Sequence, residues 1–244
     1  MTNPNLTSIN ILIDASGSMA GLQKDTIGGF NTFLAEQKAL PGDATLSVAM
    51  FSDDYSIVYD NLPIKEVPEL TTATYRPSGS TALLDAFGRT IDRMGKRFAA
   101  LPEEQRPGKV LLLVMTDGED NCSTDYKHTK IKEMISHQQD KYGWSIVYVG
   151  AKVDAFSIGG NMGIAAGSSY NYCSTSIGTQ ILYSNMSKGA SAYRSSAVGT
   201  NFTMVDPSAG SSQATVSSIT VPVDTINTTG AIAFPTLPIT QDTK

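Results

Sequence analysis

Apolar, β-branched runs alternate along this chain with longer segments of helical period. Residues 8–14, 44–53, 109–117 and 144–151 are short and rich in Ile, Val and Leu, which predicts strands. The run "KVLLLVM" has no polar alternation, as expected of a central parallel strand covered on both faces. "YSIVYDNLPI" reads as a hairpin partner for 44–53, and "SSYNYC" as a weaker additional strand. Between these lie helical segments. Residues 22–40 place Ile27, Phe30 and Leu34 on one face and stop at Pro41-Gly42. Residues 81–101 repeat Leu84, Phe87, Ile91 and Met94 at three- and four-residue spacing. Residues 125–142 and 174–196 complete the set, the last with Ile177, Ile181, Met186 and Ala190 along it. Strand–helix alternation of this kind predicts an α/β fold with a doubly wound, mostly parallel sheet and right-handed crossovers.

The pattern stops near residue 198. Residues 1–200 read as one domain with a single sizeable core. Residues 201–244 are rich in Ser, Thr and Pro, have no helical period, and carry as charges only Asp206, Asp224, Asp242 and Lys244. They read as an extended tail, too short of core residues to fold alone. Alternating Thr215, Val216, Ile219, Val221 and Val223 suit addition to an exposed sheet edge. The expectation is an arm that contacts a neighbouring subunit or another protein; a strap over the chain's own domain is the alternative.

Chemistry concentrates where the strands end. The stretch "ILIDASGSM" closes its apolar run with Asp14, Ser16 and Ser18 on alternate residues. The run 109–117 also closes on a carboxylate, Asp117. Ligands of doubly wound sheets bind beyond the carboxyl ends of the strands. Two carboxylates brought to that edge repel unless a cation lies between them. Thr81, at the start of a predicted helix, offers a further hydroxyl. Two carboxylates and three hydroxyls form an all-oxygen donor set suited to Mg²⁺, with Mn²⁺ or Ca²⁺ as replacements. Taken singly, Asp14, Ser16, Ser18 and Thr81 read equally well as helix caps, and Asp117-Gly118 as a turn. The metal reading rests on the set.

That set, Asp14-x-Ser16-x-Ser18, then Thr81, then Asp117, resembles the metal-ion-dependent adhesion site of von Willebrand factor A (VWA) domains. The flanking "SGSTALLDA" and "TDGED" are similar to bacterial and phage members of that family. The resemblance spans about residues 7–197. It implies a Rossmann-like sheet with one antiparallel edge strand. It also implies a Mg²⁺ whose shell is completed by a Glu or Asp of a partner protein. Met19, Ser80, Glu119 and Asp120 would then form the partner-binding rim. The acidic pair Glu119-Asp120 departs from the family pattern.

Other chemistries find less support. The net charge of −5 argues mildly against nucleic acid, whose phosphates need a basic face. Cys122 and Cys173 form neither a disulfide framework nor a zinc spacing. No signal peptide and no membrane-length apolar run is apparent, so the expected location is the cytoplasm or a virion. The glycines at 28 and 159 lack the Lys and Ser/Thr of a phosphate loop. The first loop lacks the Asp-x-Asp of haloacid-dehalogenase-type phosphatases, and His128 and His137 read as surface residues on a helix. The expected function is therefore non-enzymatic, metal-dependent protein binding. Two settings remain open: a structural or assembly component of a larger particle such as a phage virion, or a cytosolic adaptor working with an AAA-type ATPase.

Overall fold

A computed structural model describes residues 2–204. Strand β1 (Asn3–Asp14) is buried from Thr7 to its end. It lies mid-sheet, with Ile9, Ile11 and Ile13 in the core on one face and Leu12 in the core on the other. The apolar run of β4 (Pro107–Thr116) divides the same way: Leu111, Leu113 and Met115 to the first face, Val110, Leu112 and Val114 to the second. Burying each such side chain contributes about 1.5–3 kcal/mol, which is why these strands take the centre.

With β2 (Asp43–Phe51), β3 (Tyr55–Pro63), β5 (Ser145–Gly150) and β6 (Ser169–Asn171) the sheet order is β3-β2-β1-β4-β5-β6. Every pairing is parallel except β2 with β3. The chain leaves β1 toward β2 and later returns to β4 on β1's other side. The gap between the carboxyl ends of β1 and β4 is therefore the switch point of the sheet.

Helices α1 (Gln23–Ala39) and α5 (Ser176–Ser195) cover the first face, with Phe30, Phe33, Leu182 and Met186 in one core. Helices α2 (Leu83–Ala100) and α3 (His128–Tyr142) cover the second with Leu84, Phe87, Ile91, Ile131 and Ile135. The doubly wound α/β architecture is the one the sequence pattern predicts.

Several details differ from the sequence expectation. β1 starts five residues earlier than residue 8, its first residue pairing with Pro107 across a register shift. Residues 17–22 form a 3-10 turn ahead of α1, and α3 begins at His128 instead of 125. A short helix, α4 (Ala155–Asn161), was not expected. It is capped by Asp154, which accepts from the Ser157 amide, and its first amide donates to Asn171 Oδ1. In α5 the buried stripe is Leu182, Tyr183, Met186, Ala190 and Tyr193, while Ile177 is 70% exposed in the first turn.

Residues 201–204 fall within the expected tail, yet Phe202 and Met204 are buried in the first core. The Phe202 amide donates to Ser145 Oγ, the Met204 amide to the Tyr170 hydroxyl, and the Phe202 ring packs edge-on to Tyr193. The rest of the expected arm, residues 205–244, lies outside the described residues. Among the described residues, no helix is long and apolar enough to cross a membrane.

Candidate metal centre

Asp14 is the last residue of β1 and is wholly buried. Its Oδ1 accepts the Ser16 amide at 2.7 Å, and its Oδ2 accepts the Thr116 hydroxyl at 2.6 Å. Burial pushes its carboxyl above the ordinary value; bonds from Ser16 and Thr116 offset part of that rise, and the nearby Asp117 charge adds to it. Ser16 Oγ and Ser18 Oγ lie 3.1 Å apart, and the Ser18 hydroxyl donates to Asp117 Oδ1. The other oxygen of Asp117 meets the Lys152 ammonium at 2.7 Å. The register explains the meeting: Ile13 pairs with Met115, so Asp14 stands beside Thr116, with Asp117 one residue beyond the strand.

Thr81 comes from the segment before α2. Asn121 pins its main chain from both sides, donating its amide to the Thr81 carbonyl and accepting the Thr81 amide on Oδ1, each at 2.9 Å. Thr81 Oγ1 lies 3.8 Å from where a Cβ on Gly118 would sit, which places it beside the Asp117 loop.

The first and second loops are tied directly. The Gly17 amide donates to the Gly79 carbonyl at 3.0 Å, and the Ser78 amide to the Ala15 carbonyl at 2.7 Å. Gly79 has φ +79°, a left-handed conformation that strains any larger residue, and a Cβ there would also force the exposed Asp53 carboxylate to move. The Tyr75 hydroxyl donates to the Asp14 carbonyl at 2.7 Å from within the core.

The five predicted metal ligands thus share one edge of the sheet at its switch point. Four of them, Asp14, Ser16, Thr81 and Asp117, are buried, and Ser18 is exposed. The donor set fits a hard divalent cation. It combines two enclosed carboxylates with three neutral hydroxyls, and the 3.1 Å between the two serine oxygens matches the roughly 3 Å edge of an octahedral Mg²⁺ shell. Lys152 already stands in as a cation on Asp117. Among the described residues no group of three or more His, Cys, Asp or Glu side chains gathers to hold a metal. This site is recognised instead by its hydroxyls.

The expected rim divides. Ser80 and Glu119 are exposed. Met19 is not a rim residue: its side chain is fully buried in the core under the first loop. Asp120 is committed to structure, with Oδ1 accepting the Leu84 amide at 3.2 Å in the first turn of α2 and the Ser123 hydroxyl as well. Thr116, Asn121, Tyr75 and Lys152 were not anticipated. Thr116 hides at the end of an apolar run. The position of Lys152 was open to inference from topology, since the loop after β5 emerges at the same edge.

No family model and no curated protein matches the sequence. Solved structures do match. Proximal thread matrix protein 1 from the mussel byssus, in a structure with a zinc-occupied metal-ion-dependent adhesion motif, is 17% identical with a TM-score of 0.54, over 77% of this chain and 46% of that one. A von Willebrand factor type A protein from Catenulispora acidiphila is 17% identical with a TM-score of 0.51, over 78% of this chain and 43% of that one. The chain therefore has the VWA fold, and it spans less than half the length of these proteins.

Proposed function

We propose that this chain is a binding module whose site takes one divalent cation, Mg²⁺ first with Mn²⁺ or Ca²⁺ as replacements, and docks a Glu or Asp of a partner protein. The observation that carries this reading is the convergence of Asp14 and Asp117 with three hydroxyls at the switch point. The zinc held by the mussel protein supports it through a shared fold. Asp14 and Asp117 would hold the cation with Ser16, Ser18 and Thr81. The bound cation supplies a Lewis-acidic point that an anionic oxygen can occupy. Thr116 and the Ser16 amide fix the orientation of Asp14, and Asn121 fixes Thr81. Ser18, the exposed donor, sets the side from which a partner approaches.

Binding is preferred to catalysis because the groups bonded to the two carboxylates are hydroxyls, a main-chain amide and a lysine ammonium. None of them is a histidine or a thiol. Calorimetry with Mg²⁺ and Mn²⁺ tests the site: the chain binds one ion, and Asp14→Ala abolishes binding. A phosphatase assay in Mg²⁺ tests the class, with wild type expected to be no faster than Asp14→Ala. The finer proposal, a component of a larger particle such as a phage virion, rests on the low-charge sequence of residues 201–244. Mass spectrometry of the complex isolated from its source tests that.

A further inference from the structure

Asp117 is enclosed, yet its counter-charge comes from outside the motif. Its side chain is 0% exposed, while Lys152, which meets it at 2.7 Å, is 55% exposed. Lys152 is thus a solvent-reached cation set against an enclosed carboxylate, whose charge would otherwise stand uncompensated. The backbone points the same way. Lys152 has φ +59°, a left-handed conformation that L residues avoid and that Lys, unlike Asn or Asp, cannot ease with a short local hydrogen bond. Strain of this kind collects at working sites.

The charges then give Lys152 a role. Asp14, Asp117 and Lys152 together carry one negative charge. A divalent cation converts that to one positive charge, which a single carboxylate neutralises. Without Lys152 the loaded cluster would be neutral and would have less attraction for an acid. Glu119, which is exposed, and Asp120, which is bonded at the start of α2, add their own charges around this cluster, and they do so equally with and without Lys152.

We propose that Lys152 is the built-in cation of the site: it neutralises Asp117 until a divalent ion takes that carboxylate, and it then gives the loaded site the positive charge that selects a carboxylate ligand. The inference rests on the metal reading above.

The test is Mn²⁺ calorimetry on the full chain as wild type, Lys152→Met and Lys152→Arg. A single and a double positive charge about 6 Å apart in water-like screening repel enough to weaken binding about tenfold. Lys152→Met is therefore expected to bind Mn²⁺ about tenfold tighter, and Lys152→Arg about as wild type. Acetate is then titrated into each Mn²⁺-loaded protein, its proton relaxation reporting its approach to the paramagnetic ion. Lys152→Met is expected to hold acetate several-fold more weakly. Equal or weaker Mn²⁺ binding by Lys152→Met overturns the inference while leaving the metal site standing, as does undiminished acetate binding. No Mn²⁺ binding by any of the three proteins removes the metal reading and this inference with it.

Discussion

The hydroxyl of Thr116 donates to Oδ2 of Asp14 at 2.6 Å, joining the carboxyl ends of β1 and β4 through a fully buried bond. Thr116→Val keeps the shape and removes the donor, leaving a buried carboxylate oxygen unsatisfied. A loss of about 2 kcal/mol is expected in urea unfolding with EDTA present. Thr116→Ser, which keeps the donor, loses less. Equal stability of Thr116→Val and wild type would show that the bond does not hold the two strand ends.

Divalent ions should stabilise the fold, because they bind the assembled cluster and not the unfolded chain. Mg²⁺ at a hundred times its dissociation constant adds about 2.7 kcal/mol, a rise of about 8 °C in melting temperature for a domain of this size. Asp14→Ala should melt at the same temperature with Mg²⁺ or EDTA. A variant that still gains stability from Mg²⁺ would place the ion elsewhere.

Asp120 separates a capping role from a docking role. Asp120→Ala removes the acceptor of the Leu84 amide and is expected to cost about 1 kcal/mol in denaturant unfolding. Mn²⁺ affinity should change less than threefold. Intact stability with altered Mn²⁺ affinity would return Asp120 to the rim of the site.

Phe202 marks how far the folded core extends. Phe202→Ala empties a site that is 2% exposed beside Tyr193 and is expected to cost about 3 kcal/mol. A chain ended at Thr200 should likewise melt below one ended at Met204. Equal melting temperatures would mean that residues 201–204 contribute nothing to the domain.

The sequence makes the fold legible where burial is two-sided. "KVLLLVM" and "SIVYVG" are short and apolar on both faces and include β-branched residues, as central strands do, and the register of β1 with β4 then sets Asp14 beside Thr116 with Asp117 just beyond. The pattern fails where structure rests on single polar contacts. α4 has only seven residues with Gly159 and Gly160 among them, and it is held by Asp154 and Asn171, which no periodicity reports. The first strand begins in "NPNL", whose Asn and Pro residues are poor strand formers, so the apolar run marks only its second half. Met19 sits among polar loop residues but turns inward, because the 3-10 turn after Ser16 folds it under the site. Of the candidate site, the five proposed donors could be picked out from their places at strand ends and from the resemblance of the set to an adhesion motif. Thr116 could not, since it lies at the end of an apolar run and its bond to Asp14 spans 102 residues; Lys152 was within reach only from the topology, as the loop after β5 emerges at the same edge.

The central claim is that Asp14, Ser16, Ser18, Thr81 and Asp117 hold one divalent cation. Anomalous diffraction from crystals grown in Mn²⁺ tests it most directly. The account predicts one strong Mn²⁺ peak enclosed by these five residues and its loss in Asp14→Ala. A peak at another place, or no peak within reach of Asp14 and Asp117, would contradict it.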